Sequence, residues 1–308
     1  MSNEARNFKT SILIPTLNAG SKWVEALNTI IQQTHKSENH IIIDSGSTDD
    51  TVEIARSFGF KVISIPKQEF NHGRTRQLLV DKSDADICIF LTQDAILASA
   101  DSIKNLIAAF YDATVGMAYG RQLPHKNAQP LEAHARLFNY PESSETVSIN
   151  DIYQKGFKVF FCSNSFSAYR RSALLSVGGF PSDSIMGEDA IVAAKMLAAG
   201  YKKSYVANAT VYHSHSYSLK EEFRRYFDTR VFHEQNNWLI QKYGKPTGEG
   251  VKFLQSELKY SFKHNLKITL KSISSTAAKW LGYKSGKYYN KMPTSLLKKV
   301  SMHKFYWK

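Results

Sequence analysis

This sequence predicts an α/β fold: a mostly parallel sheet with helices on both faces, followed by a basic helical region. Three observations carry the prediction. Short apolar runs rich in β-branched residues alternate with helix-patterned segments, as strand–helix–strand units with right-handed crossovers require. The central run, Ile87-Cys88-Ile89-Phe90-Leu91, is apolar at every position, as a strand buried on both faces must be. The formal charge of +13 is also unevenly placed. Residues 219–308 hold 19 Lys+Arg against 6 Asp+Glu, whereas residues 1–218 hold 21 of each. The shift predicts a neutral α/β unit over 1–218 and a basic surface-binding region over 219–308.

In order, Thr10–Pro15 reads as a first strand stopped by a proline that cannot donate to a ladder. After the loop Thr16–Gly20, Ser21 is placed to cap a helix with the stripe Trp23, Leu27, Ile30 and Ile31. The second strand, His40–Asp44, ends in the turn-prone run Asp44-Ser-Gly-Ser-Thr-Asp49. A helix carrying Val52, Ala55 and Phe58 follows, with Gly59 as its stop. Lys61–Ile65 is a third strand, and a helix begins near Arg74. The Ile87 run breaks abruptly into Thr92-Gln93-Asp94, a helix covers Ser102–Tyr111, and Gly116–Gly120 is a further strand. Ala190–Ala199 is a helix ended by Gly200, and Val211–Ser216 closes a short strand with two histidines in alternation.

Several classes are excluded. No apolar run approaches bilayer length, and the polar start Met1–Thr10 carries no secretory signal. Two cysteines, Cys88 and Cys162, argue for a reducing, cytoplasmic setting and against a disulfide scaffold. Neither a Gly-x-Gly-x-x-Gly after the first strand nor a phosphate loop is present, so nucleotide phosphates are expected to be held through a metal. Asp94, at the carboxyl end of a buried parallel strand, stands where open α/β sheets bind ligands and suits a hard cation such as Mg²⁺ or Mn²⁺. A nucleic-acid binder is disfavoured: the charge sits on a tail with a regular apolar stripe, and no nucleic-acid motif is present.

Ile12-Leu-Ile-Pro-Thr-Leu-Asn18, Ile43-Asp-Ser-Gly-Ser-Thr-Asp49 and the Asp94 turn together resemble the family 2 glycosyltransferases, which have the GT-A fold. Within that family, Asn71-His-Gly-Arg-Thr-Arg76 and Thr92-Gln-Asp-Ala95 resemble bacterial rhamnosyltransferases of surface polysaccharide synthesis. The resemblance implies inverting, metal-dependent transfer of L-rhamnose from dTDP-L-rhamnose to a lipid-linked glycan, with a UDP-hexose as the alternative donor. It implies a donor site from Pro15, Thr16, Asn18, Asp44, Ser45, His72, Arg74, Arg76, Thr92, Gln93 and Asp94. Asp44 is expected at the base or ribose, and the arginines at phosphate oxygens near a helix start. Spacing does not rank Arg74 against Arg76. Asp94 and His213 are the implied metal ligands, Asp189 the general base and Glu188 its acidic neighbour, with the helix start keeping Asp189 ionised. The chain departs from the family's Asp-x-Asp motif because Thr92 replaces the first aspartate, which leaves one carboxylate in the turn. Ser163 and Asn164, polar in an apolar stretch, need partners: an acceptor hydroxyl or the neighbouring backbone.

In the tail, Leu254, Leu258, Phe262, Leu266, Leu270, Ile273, Ala277 and Leu281 recur at helical spacing, flanked by Lys259, Lys263, Lys267 and Lys271. An apolar stripe beside a lysine stripe predicts a helix over residues 251–281 lying on an anionic membrane surface, peripheral at the inner face of the bacterial cell membrane.

Overall fold

β1 (Thr10–Thr16), β2 (Asn39–Asp44), β3 (Lys61–Ser64) and β4 (Ile87–Leu91) pair in parallel, in the order β3-β2-β1-β4. The computed structural model describes residues 8–244 and 248–308; most of the polar amino-terminal start lies outside them. Side-chain alternation along these strands divides the core. Ile12, Ile14, Ile87, Ile89 and Leu91 face one apolar cluster with Trp23, Leu27 and Phe110. Leu13, Cys88 and Phe90 face another with Leu79, Tyr169 and Val192. Burial on both faces is why the Ile87 run needs no polar position. Both cysteines are free and buried.

The helices over this half are α1 (Trp23–Ile31), α2 (Thr51–Ser57), α3 (His72–Asp81) and α4 (Ser102–Ala108), and β5 (Ile96–Leu97) follows the Asp94 turn. Ser21 does not cap α1. It lies in a single 3-10 turn, Gly20–Lys22, that runs straight into the helix.

Beyond β4 the sheet becomes mixed. β6 (Val115–Leu123) runs parallel to β9 (Lys202–Tyr212), but β8 (Phe166–Arg170) inserts antiparallel between β4 and β6. β7 (Glu145–Val147) and β5 pair with β9, also antiparallel. Between β6 and β9 lie α5 (Pro130–Asn139), α6 (Ile152–Lys155), α7 (Arg171–Ser176) and α8 (Glu188–Ala198). β8 brings the 160–165 segment under the carboxyl end of β4, beside the start of α8.

The tail folds against this body. α9 (Leu219–Gln235), α10 (Asn237–Tyr243) and α13 (Thr294–Val300) share a core with α8: Phe227, Val231, Leu239 and Leu297 join Ile191 and Leu197. Packing therefore continues across residue 218, where the charge changes. The predicted single helix over 251–281 is two helices, α11 (Glu249–Phe262) and α12 (Leu266–Gly286). Asn265 stops the first and caps the second by accepting from the Ile268 amide at 2.9 Å. The i+4 apolar spacing runs through this break, so periodicity alone could not reveal it.

α12 buries small and polar residues, Thr269, Ser272, Ser275, Gly282 and Gly286: Gly282 and Gly286 meet α9, and Ser272 donates to Glu257 of α11 at 2.9 Å. A Cβ at Gly282 would stand 2.1 Å from the Phe223 carbonyl oxygen, so the close helix contact demands glycine there. Its large apolar residues point the other way, with Leu266 72%, Leu270 58% and Trp280 59% exposed. Among the described residues, no helix is long and apolar enough to cross a membrane.

Candidate active site and metal centre

Three loops meet at the carboxyl ends of β1, β2 and β4. Asp44 is buried, and its carboxylate already accepts four bonds: Thr16 Oγ1 (3.1 Å) and Ser47 Oγ on Oδ1, and the Gly46 (3.0 Å) and Ser47 (2.9 Å) amides on Oδ2. These bonds order the loop after β2 and hold the carboxylate at the carboxyl ends of β1 and β2. Ser45 is likewise turned inward, donating to the Thr16 carbonyl. Asn18, at φ +48°, accepts from the Thr48 amide at 2.8 Å and joins the loops after β1 and β2. Pro15 is half-buried in register with Ile43.

Gln93 is the middle residue of the Thr92–Asp94 turn. Its amide accepts from Leu17 N (2.8 Å) and donates to Leu17 O (3.1 Å). A carboxylate can only accept, so an acidic residue at 93 could not close this two-way contact. Gln93 is a strut between the β1 and β4 loops, and Thr92 sits beside Asp94.

The missing carboxylate is replaced by imidazole. Asp94 Oδ1 lies 3.5 Å from His213 Nε2, Asp94 Oδ2 lies 3.4 Å from His215 Nε2, and the two Nε2 atoms are 3.1 Å apart. All three ligand atoms fall within 4.8 Å of one another. Gln122 Oε1 stands 3.0 Å from His213 Nδ1, which places the proton on Nδ1 and leaves the Nε2 lone pair facing the cluster. Burial, then the charge of His213, pushes His215 down to about 4, so it is neutral near pH 7 as a ligand must be. Burial opposes ionisation of Asp94, but His213 and His215, in their protonated forms, outweigh it and hold the carboxylate below its usual range. Two nitrogens and one carboxylate oxygen converging on one point fit a divalent metal ion. The sequence pointed to His213; the structure brings His215 in with it.

Gln122 and Arg136 were missed. Gln122 lies just past the predicted strand Gly116–Gly120, and its Nε2 donates to Ser163 Oγ at 2.8 Å while Arg136 donates to its Oε1. One polar residue near the end of an apolar strand was the only available signal.

The acidic pair divides its labour. Glu188 is buried, pairs with Arg76 Nη1 at 3.0 Å and accepts from Asn164 Nδ2 at 3.0 Å. Burial opposes its ionisation, but Arg76, His72 and Asn164 lower its pKa overall. Arg76 is thus engaged with Glu188, while Arg74 is exposed, a ranking that spacing did not provide. Asn164 is used entirely within the protein, its Oδ1 accepting from Ser167 and Tyr169. Asp189 is half-buried, accepts from the Asn164 amide at 3.3 Å, and is pushed up to about 7 by burial and then by the negative Glu188. The helix start therefore does not keep it firmly ionised, contrary to the sequence expectation. His72 packs edge-on against Phe70 and His303, and burial lowers its pKa.

α3 reaches this site because Asn71 caps it, accepting from the Gly73 and Arg74 amides, while its Nδ2 holds the Ser184 carbonyl. A Cβ at Gly73 would lie 1.8 Å from the Pro181 oxygen, so the contact that sets Arg76 against Glu188 needs glycine. Arg76→Ala should leave Glu188 buried without its counter-charge and cost about 3–5 kcal/mol of stability. Urea unfolding measures this, and a loss under 1 kcal/mol would show the pair to be incidental (about the worth of an exposed bridge).

The sequence model for glycosyl transferase family 2 matches residues 11–178. The chain is 48% identical over 301 residues to an O-antigen chain rhamnosyltransferase, RfbN, of Salmonella typhimurium, covering 97% of this chain and 96% of that one. It is 44% identical over 299 residues to the O-antigen chain rhamnosyltransferase WbaN of Salmonella anatum, covering 96% and 95%. Among solved structures, it resembles a mannosyltransferase from Pyrobaculum calidifontis in complex with GDP-Man and Mn²⁺ (TM-score 0.58, 18% identity, 89% of this chain and 74% of that one). It also resembles S. aureus TarS 1–349 (TM-score 0.54, 13% identity, 92% and 91%). These two likenesses concern the fold, which is of GT-A type. With its family match, its relatives and its fold in agreement, this chain belongs to glycosyltransferase family 2.

Proposed function

We propose that this glycosyltransferase moves L-rhamnose from dTDP-L-rhamnose to a lipid-linked glycan in O-antigen synthesis, with inversion at the anomeric carbon. The observation that carries the reading is the 48% identity to an O-antigen chain rhamnosyltransferase over nearly the whole of both chains. Asp94, His213 and His215 would hold Mg²⁺ or Mn²⁺. Two imidazoles among the donors favour Mn²⁺, since Mg²⁺ prefers oxygen ligands. A bound ion would neutralise charge on the departing diphosphate.

The chain's own groups do the rest. Arg74 and the start of α3 face phosphate oxygens, and the Pro15–Asn18 and Asp44–Ser45 loops wall the nucleotide. Asp189 accepts the proton of the attacking acceptor hydroxyl on its carboxylate. Glu188, held by Arg76 and Asn164, positions Asp189 and raises its basicity, and Ser163 with Gln122 lines the acceptor side. A panel of nucleotide sugars, with release of the nucleoside diphosphate as the readout, tests the donor. Release from dTDP-L-rhamnose is expected; release only from a UDP-hexose would replace the sugar.

The tail would hold the enzyme on the inner face of the cell membrane. The outward Leu266, Leu270, Ile273 and Trp280 would enter the acyl boundary, and Lys259, Lys263, Lys267 and Lys271 are all exposed. At about 1 kcal/mol per lysine, changing all four to Gln should remove at most about 4 kcal/mol of binding, less with salt screening. Sedimentation should fall on anionic vesicles and hold on neutral ones. Full sedimentation of the variant with anionic vesicles would assign these lysines to solvent.

A further inference from the structure

A groove of about 1870 Å³ joins the metal cluster to the outer face of the tail. His215 and Ala190, the neighbour of Asp189, line its near end; Leu270 and Trp280 of α12 line its far end. Ala135 and Phe138 of α5 and Phe253 and Leu254 of α11 line it as one continuous apolar wall, Phe138 and Phe253 packing edge-on at 5.3 Å. Pockets of roughly 300–1,000 Å³ suffice for drug-sized ligands, so a nucleotide sugar does not account for this space.

Two properties of the groove identify an occupant. Its far mouth opens on the side chains that α12 turns outward, so a hydrocarbon chain can pass from a bilayer into it while staying against apolar surface. Its lining is basic, with seven Lys and Arg against four Glu. Two of those glutamates, Glu222 and Glu257, are already paired with Lys279 at 3.6 and 3.7 Å. Arg136, bonded to Gln122 through Nη1, keeps a buried Nε with no hydrogen-bond partner, and Arg225, held by the Tyr217 hydroxyl at 2.8 Å, also lines the groove. Apolar walls with a net basic lining and a partnerless Arg136 Nε match a long hydrocarbon carrying a phosphate.

We infer that this groove binds the prenyl chain of a lipid-linked acceptor and that Arg136 and Arg225 receive its diphosphate, delivering the glycan to Asp189. The inference rests on the lipid-linked acceptor proposed above and identifies where that lipid is held. The chain then contributes to recognition, at roughly fourfold in affinity per buried methylene.

The test uses two bulky substitutions of groove-lining residues, Ala135→Phe on α5 and Ser274→Trp on α12, each checked for an unchanged thermal transition. Binding of geranyl and decaprenyl diphosphate, read by calorimetry on the full chain, needs no turnover. Wild type should bind the long chain at least tenfold more tightly than the short one. Each blocking variant should lose at least tenfold for the long chain and less than twofold for the short. On matched glycan acceptors, kcat/KM should follow the same pattern, with vesicle sedimentation unchanged. Equal binding of both chains by wild type, or equal losses on both in the variants, would overturn the groove assignment. Preserved long-chain binding without rhamnosyl transfer would instead refute the proposed activity and leave the groove standing.

Discussion

Asp189→Asn should reduce transfer by at least ~10²-fold while leaving donor binding nearly intact, the usual scale for loss of a general base. The amide keeps the shape of the side chain and can still accept from one of the two backbone amides that Asp189 binds, Asn164 and Ala190, so the substitution removes the basicity at the cost of one local hydrogen bond. The structure adds a pH signature. With Asp189 pushed up to about 7 by burial and by Glu188, the free enzyme holds the proton below that pH and releases it above. The active form of a base is the deprotonated one, so kcat/KM should rise with pH through about 7 and then level. Glu188→Gln removes the neighbouring negative charge and should shift that rise to lower pH. An active Asn variant, or a profile flat from about one unit below to one unit above 7, would remove Asp189 from this role.

Asp94→Ala should abolish metal-dependent nucleotide binding. Asp94 is the only carboxylate of the cluster, and Gln93 cannot take its place because its amide is committed to Leu17. Loss of a second-sphere partner typically lowers metal affinity 10–100-fold, so a direct ligand should cost more than about 10²-fold. His213→Ala should weaken binding less, since His215 remains, and Gln122→Leu should fall within the second-sphere range. Calorimetry with Mn²⁺ and a nucleoside diphosphate orders the series. Unchanged affinity in Asp94→Ala would move the metal elsewhere.

The parts of the fold legible in the sequence were those with a strong local period. The all-apolar Ile87–Leu91 run and the Ala190–Ala199 helix could be read without tertiary context. β8 was not read as a strand, because Phe-Ser-Ala-Tyr-Arg mixes small and polar residues whose burial comes only from lying between β4 and β6. Site residues were legible as types and positions rather than as roles. Asp44, Arg76 and Asn164 could be placed as site residues, yet each bonds a partner distant in sequence that periodicity could not reveal: Thr16 for Asp44, and Glu188 for both Arg76 and Asn164. The tail hairpin was hidden because one polar residue, Asn265, turns the chain without interrupting the apolar spacing.

The anomeric configuration of the product tests the account most directly. The proposed role of Asp189, a single carboxylate base on the acceptor hydroxyl opposite the departing diphosphate, requires one displacement and therefore inversion. NMR of the glycan formed from dTDP-L-rhamnose should show the new linkage with configuration opposite to the donor's. A product that keeps the donor's configuration would contradict the assignment of Asp189 as the base of a single displacement.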